Sequence, residues 1–128
     1  MSQENVEIVR RVFEAYERDG VSGGIAAMDP EVVWHPADEA PQHGIDAAIA
    51  YMRRWEAEWE DLSTVPEEFI DAGEIVFVAV RFAGRGKASG VEVDALVYEL
   101  YTLREGKIVR MDEFTERAEA LAAAGLRE

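Results

Sequence analysis

Apolar residues recur with helical spacing along the first part of the chain. Between residues 5 and 19 they fall three or four positions apart, which predicts an amphipathic helix that begins at Asn5 and ends before Gly20. The apolar positions are Val6, Val9, Val12, Phe13 and Tyr16. Residues 22–28 predict a short second helix, because Asp29-Pro30 follows them and disfavours its continuation.

A brief strand and a polar loop separate these helices from a third. Residues 32–35 are β-branched or aromatic apart from the final His35, and Pro36 closes the run. Residues 37–43 predict a polar loop, and 44–61 predict a helix with one apolar stripe. That stripe consists of Ile45, Ala48, Ile49, Met52, Trp55 and Trp59.

The second half of the chain is rich in Val, Ile, Phe and Tyr and predicts four strands. They cover 63–71, 74–85, 91–104 and 107–114, with hairpin turns at 71–73 and 104–107 and a looser connection at 84–90. Residues 115–124 predict a closing helix. Consecutive hairpins predict an antiparallel sheet, and the preceding helices are expected on one face of it. The class is therefore α+β, with residues 1–128 forming one domain.

Composition narrows the possible partners. The formal net charge is −14, from 27 acidic and 13 basic residues, and such a field disfavours binding to nucleic acid. The chain has no cysteine, so disulfides and thiolate chemistry are excluded. The first residues lack a secretory signal pattern, and no apolar run approaches the ~20 residues of a membrane span. We expect a soluble, cytoplasmic protein without a membrane partner.

Three segments resemble one known family. They are VVWHP at 32–36, HGIDAAIAYM at 43–52 and GVEVDALVYELYTLREGKIVRMDEFTERAEALAAAGL at 90–126. In this order they resemble the SnoaL-like family of the NTF2-like superfamily. The resemblance implies a cone-shaped curved antiparallel sheet wrapped around the N-terminal helices, with a cavity for a small apolar molecule, carbonyl-bearing or polycyclic, and no cofactor. The superfamily includes polyketide cyclases, ketosteroid isomerases and plain binding domains, so fold alone does not fix the activity.

Strand alternation then suggests which side chains face that cavity. Both faces of 91–104 are largely apolar, and the resemblance makes the face with Glu99 the inner one. The outer face is expected to meet a second subunit, which predicts a homodimer. Residues expected to contact a ligand are Val12, Trp34, Met52, Trp55, Val80, Phe82, Val97, Tyr101, Met111 and Glu113.

Three residues are candidates for catalysis. His35 matches the general-base Asp of the ketosteroid isomerases, and Glu99 matches their protonated Asp, so proton transfer beside a carbonyl is the implied reaction. The isomerases' oxyanion Tyr matches Val12, and Tyr16, one helical turn later, would take its place. A carboxyl group within the most apolar strand is costly unless it is paired, protonated or hydrated, which supports a function for Glu99.

Each candidate also has a purely structural interpretation. His35 could bond to backbone at a strand end, Glu99 could face outward and pair with an arginine, and Tyr16 could be core. Asp38 and Glu39 near two histidines lack regular ligand spacing, so no metal site is predicted. The alternative function is therefore a non-catalytic, dimeric small-ligand-binding domain.

Overall fold

A six-stranded sheet with helices on both faces forms the framework of the computed structural model, which describes residues 2–127. The elements are α1 (Ser2–Asp19), α2 (Val21–Gly24), β1 (Met28–His35), β2 (Gln42–His43), α3 (Ile45–Ala57), β3 (Trp59–Ala72), β4 (Ile75–Gly86), β5 (Glu92–Arg104), β6 (Lys107–Phe114) and α4 (Arg117–Ala123).

The strands form one curved, unclosed sheet in the order β2-β1-β6-β5-β4-β3. The predicted α+β class is confirmed, and so are the four long strands of the second half. Neighbouring strands are antiparallel except β1 and β6, which run parallel. The expectation of a wholly antiparallel sheet is corrected at this one pair, because β1 joins the free edge of the last strand.

The end of α3 differs from the prediction. The helix stops at Ala57, and Trp59 begins β3 rather than continuing the helical stripe. Its indole lies 6.2 Å from the ring of Trp55 and 5.4 Å from that of Phe82, measured between centroids. The apolar stripe therefore continues across the junction from helix to strand, and the spacing of tryptophans alone does not reveal where the helix ends.

The main core lies between the inner face of the sheet and helices α1 and α3. Strands β4 and β5 contribute alternate side chains to it, as the period of two requires, and β6 contributes Ile108 and Met111 on either side of a register shift. Its most deeply buried members are Val9, Val32, Val76, Val78, Leu103, Ile108 and Met111. A cavity lined in part by glutamates opens within this core.

A smaller core lies on the outer face of the sheet under α4. Leu121 packs there with Phe77 and Leu100, all buried. Arg117 binds Glu68 through two hydrogen bonds of 2.7 and 3.2 Å, and its guanidinium lies 5.3 Å from the centre of the Phe77 ring. A helix of the same chain thus covers part of the face that was expected to meet a second subunit, and the homodimer stays a prediction.

Among the helices that the structure describes, none combines the length and the apolar character needed to cross a membrane.

Candidate functional site

A cavity of about 160 Å³ lies between the inner face of the sheet and helices α1 and α3. Its walls are mostly apolar and aromatic, with three glutamates among them. The lining residues are Val12, Phe13, Tyr16, Gly24, Met28, Trp34, Tyr51, Met52, Trp55, Glu56, Thr64, Val80, Phe82, Val97, Glu99, Tyr101 and Glu113.

Helical and strand periodicity bring these side chains together. On α3, residues 51, 52, 55 and 56 are spaced so that they share one face of the helix. On β5, alternate residues Val97, Glu99 and Tyr101 point inward. The register of β5 and β6 sets Glu99 directly opposite Glu113, so two carboxyl groups meet on the same wall of the cavity.

These two carboxyl groups lie side by side, and each changes the ionisation of the other. The Tyr101 hydroxyl donates to Oε1 of Glu99 over 2.6 Å. The backbone N–H of Ala37 donates to Oε1 of Glu113 over 3.1 Å. Because two adjacent carboxylates in apolar surroundings cannot both ionise at low cost, the pair retains a proton at a pH where separate glutamates have lost theirs.

Burial raises the pKa of Glu99 to about 8, and the negative charge of Glu113 adds to the increase. The hydrogen bond from Tyr101 opposes it. Burial also raises the pKa of Glu113, while the bond from Ala37 favours its ionised form. Glu99 is therefore the member that holds the shared proton, and Glu113 is the member that accepts it.

Three tyrosine hydroxyls around the cavity are all bonded to carboxylates. Tyr101 binds Glu99, Tyr16 donates to Oε2 of Glu56, and the Tyr51 hydroxyl lies 3.0 Å from Oδ1 of Asp38. The pKa of all three hydroxyls is raised, mainly by burial and next by the neighbouring carboxylates. The tyrosines are consequently neutral hydrogen-bond donors at physiological pH.

The segment between β1 and β2 is held against this site by hydrogen bonds and an ion pair. Ala37 binds Glu113 of β6, Asp38 accepts from Tyr51 of α3, and the carboxylate of Glu39 lies 3.3 Å from Arg54. The sequence predicted a polar loop at 37–43, but the final residues of that range form β2, which pairs with β1. The loop therefore connects the carboxyl pair to the helix across the cavity.

The structure places most of the predicted site residues on the cavity wall. Glu99 and Tyr16 line it, so two of the three catalytic candidates share one cavity. The ligand-binding candidates on its wall are Val12, Trp34, Met52, Trp55, Val80, Phe82, Val97, Tyr101 and Glu113.

His35 does not line the cavity, and the expectation that it faces a ligand there is wrong. Alternation along β1 gives the inward position to Trp34, so His35 points to the outer face, where its side chain is 41% exposed. Its Nδ1 lies 3.2 Å from Oδ1 of Asp112, the residue opposite it on β6. Asp112 also accepts two hydrogen bonds from Nε of Arg110. His35 therefore belongs to a polar cluster on the outer side of the sheet.

Met111 also lies apart from the cavity surface. It faces inward as predicted, but it is buried within the core and is absent from the cavity wall. Conversely, the sequence analysis missed Tyr51 and Glu56. Both stand four positions from predicted contacts on α3, Trp55 and Met52 respectively, so the same helical spacing could have identified them.

Comparison with known proteins places this site within a known architecture. A family model described as a SnoaL-like domain matches residues 9–111. No curated protein matches the chain significantly.

Solved structures resemble the whole fold. An NTF2-like protein of unknown function from Burkholderia pseudomallei K96243 is 25% identical with a TM-score of 0.80, over 93% of this chain and 95% of that one. An NTF2-like protein from Burkholderia xenovorans LB400 is 28% identical with a TM-score of 0.76, over 95% of each chain. A proposed SnoaL-like polyketide cyclase from Jannaschia sp. CCS1 is 24% identical with a TM-score of 0.79, over 98% of this chain and 94% of that one. With the family match spanning most of its length, this chain belongs to the SnoaL-like domain family and has an NTF2-like fold.

Proposed function

We propose that this protein binds a small, mostly apolar organic molecule in the cavity and transfers a proton to or from it without a cofactor, in a reaction of the isomerase or cyclase type. The observation that carries this proposal is that Glu99 and Glu113 lie opposite each other on the wall of a mostly apolar, aromatic cavity. Carboxyl groups held in such surroundings are suited to general acid–base catalysis, because their pKa values move toward the working pH.

The pair can divide the two roles of proton transfer. Glu113, ionised, removes a proton from the carbon beside a carbonyl group, and the electrons of that C–H bond form an enolate. Glu99 keeps its proton and stabilises the enolate oxygen by donating a hydrogen bond to it. In an isomerisation Glu113 then returns its proton to a different carbon. In an aldol-type cyclisation the enolate carbon attacks a second carbonyl, and Glu113 returns its proton to the alkoxide that forms. The Tyr101 hydroxyl donates to the Glu99 carboxyl and so holds it in place.

The cavity volume limits the substrate. A space of about 160 Å³ is close to the ~150 Å³ of a protein cavity that holds benzene. The enclosed part of a ligand is therefore about the size of one six-membered ring. This favours a small carbonyl compound over a polycyclic one, which would need the walls to move.

The first test is the isomerisation of 3-cyclohexen-1-one to the conjugated 2-cyclohexen-1-one, followed by ultraviolet absorbance. We expect Glu99→Gln and Glu113→Gln each to lower the rate by about 10²–10⁴, the usual contribution of a positioned acid or base. Glu92→Gln removes an exposed carboxyl from the same strand and should leave the rate unchanged. Equal rates in all four proteins, or no acceleration by the wild type, would contradict the proposal.

One observation favours a second function, ligand binding without catalysis. Every tyrosine hydroxyl bonded at the cavity already donates to a carboxylate, so none is free for an enolate oxygen. A protein of this second kind would bind cyclohexenone saturably in calorimetry and would not convert it. Conversion that depends on Glu113 would instead establish the enzyme.

A further inference from the structure

The hydrogen-bonding groups of the cavity are unequally divided between donors and acceptors. The hydroxyl protons of Tyr16, Tyr51 and Tyr101 are all directed at carboxylates. The carboxylates of Glu56 and Glu113 each have two oxygens and can accept further bonds. The capacity left for a ligand is therefore mainly acceptor capacity, which complements a ligand that donates.

The charges of the side chains that line the cavity also favour a donor, and specifically a cation. Glu56, Glu99 and Glu113 reach the cavity, whereas no Lys, Arg or His belongs to the lining that the structure describes. The chain as a whole carries a formal charge of −14, which adds a long-range field of the same sign. An anionic ligand would find no counter-ion on these walls, and a cation would find several.

Aromatic rings form much of the remaining wall. Trp55 and Phe82 lie 5.7 Å apart, and Phe13 and Trp34 stand 6.0 and 6.4 Å from Tyr101, all measured between ring centroids. The faces of such rings attract cations, most strongly where water is excluded. Among residues 2–127 no three His, Asp or Glu side chains are grouped so as to hold a metal ion, so these walls fit an organic cation with an apolar body better than a metal.

We propose, taking the cavity as the ligand site of the proposed function, that its ligand carries a protonated amine on an apolar body of about one ring. The ammonium group would donate to the free carboxylate oxygens of Glu56 and the Glu99–Glu113 pair, with aromatic rings around its carbon skeleton. In the catalytic reaction such a substrate would be an amino ketone, its amine held by carboxylate and its carbonyl presented to the pair.

Binding of a cation near the pair should also release part of the proton that the pair shares, and the fraction of Glu99 that stays protonated still serves the enolate oxygen. The groups that face Glu99 come from every neighbouring element: Tyr101 from β5, Glu113 from β6 and Tyr16 from α1, with Glu56 beyond Tyr16. All are acidic or neutral, so a positive charge placed among them favours ionisation of Glu99. Proton release on binding thus distinguishes an ammonium group seated beside the pair from one held on the protein surface.

The experiment is isothermal titration calorimetry at pH 7 with three probes of one ring size: cyclohexylammonium, cyclohexanol and cyclohexanecarboxylate. We expect cyclohexylammonium to bind about tenfold or more tightly than cyclohexanol, the usual gain from a charge-assisted hydrogen bond, and the carboxylate not to bind. Repeating the titration in buffers of different ionisation enthalpy should reveal fractional proton release in the wild type. That release should vanish in Glu99→Gln and persist in Glu92→Gln.

The ranking of the three probes needs only the wild type, so it stands even if a variant fails to fold. Cyclohexanol binding as tightly as cyclohexylammonium would overturn the proposal, and so would ammonium binding unchanged in both Glu56→Gln and Glu99→Gln. The two proposals fail separately. Ketone isomerisation without ammonium binding refutes only the amine, whereas ammonium binding with proton release and without any turnover supports the amine and refutes the catalysis.

Discussion

The Glu99 carboxyl occupies the centre of the inner face of β5, between the inward side chains of Val97 and Tyr101. Its pKa, raised to about 8 by burial and by Glu113, means that the folded protein holds a proton there that the unfolded chain loses near its ordinary pKa of about 4.3. Folding and protonation of this residue are therefore linked.

The linkage predicts how stability changes with pH. Between about pH 4 and pH 8 the native state binds more protons than the unfolded state, so the free energy of unfolding falls as the pH rises through this window. The raised pKa of Glu113 acts in the same direction. We expect Glu99→Gln to remove much of this decrease, on the order of a few kcal/mol between pH 5 and pH 9.

Urea unfolding at a series of pH values measures this effect. Glu92→Gln, which alters an exposed carboxyl of the same strand, should show the same pH dependence as the wild type. A wild-type stability that rises from pH 5 to pH 8, or a slope that is equal in the wild type and Glu99→Gln, would show that Glu99 ionises normally in the folded protein.

Single residues also show where sequence reasoning succeeds. Glu99 was identified because a carboxyl group in an apolar strand requires an explanation, and the structure supplies one in its pairing with Glu113. His35 was placed wrongly because it was matched to the general-base Asp of the ketosteroid isomerases, and the run from Val32 to Trp34, apolar throughout, has no alternation that could correct the match. Only the pairing of β1 with β6 decides that Trp34 points inward and His35 outward.

At the scale of the elements, the turn between β5 and β6 contains one residue that is poorly suited to the backbone conformation of its position. Arg104 pairs with Lys107, and both residues between them have positive φ, 52° at Glu105 and 78° at Gly106. Such a two-residue turn favours Asn-Gly, because asparagine adopts the left-handed region more readily than glutamate does. The glycine is already optimal there, and the glutamate is not.

Replacement of that residue should therefore stabilise the protein. We expect Glu105→Asn to raise the free energy of unfolding by about 0.5 kcal/mol, measured by urea denaturation at pH 7. Glu105→Ala removes the same charge without gaining the preference for positive φ, so it serves as the control. If both variants gain equally, relief of negative charge rather than backbone conformation is the cause.

Element boundaries were predictable where turn residues mark them. The turns near Gly73 and Gly106 were located from sequence, and the strands that flank them followed. The end of α3 was not predictable, because the apolar stripe continues from Trp55 to Trp59 without a break. The parallel pairing of β1 with β6 was also beyond reach, since no local pattern specifies which strand a short segment will join.

At the scale of the whole molecule, the outer face of the sheet is only partly covered. Helix α4 lies over Phe77 and Leu100. Beyond it, Val65 is 51% exposed, and Leu96 stands on the same face, across β4 from it. The nearby Arg81 lies between Glu67 and Asp94, at 2.7 and 2.9 Å. Arg81 thus stands between Val65 and Leu96, and apolar side chains with an arginine among them are common in protein interfaces.

The predicted homodimer can be tested on this area by sedimentation equilibrium. We expect the wild type to sediment as a dimer, and the double variant Val65→Glu with Leu96→Glu to shift it to monomer by burying like charges against each other. Val91→Glu is the matched control, because Val91 is 57% exposed and precedes β5 rather than lying within the outer face. A monomeric wild type at micromolar concentration would show that the prediction is wrong.

The parallel pairing of β1 with β6 has a consequence for biosynthesis. His35 and Asp112 adjoin in the sheet although they are 77 positions apart in sequence. During translation, β1 and the apolar stripe of α1 leave the ribosome long before the strand that completes their sheet, and contacts of such separation form slowly. The carboxyl pair is assembled at the same late stage, because Glu113 belongs to β6. Until β6 has been made, the nascent chain therefore exposes apolar surface, and its acidic charge helps to keep it in solution.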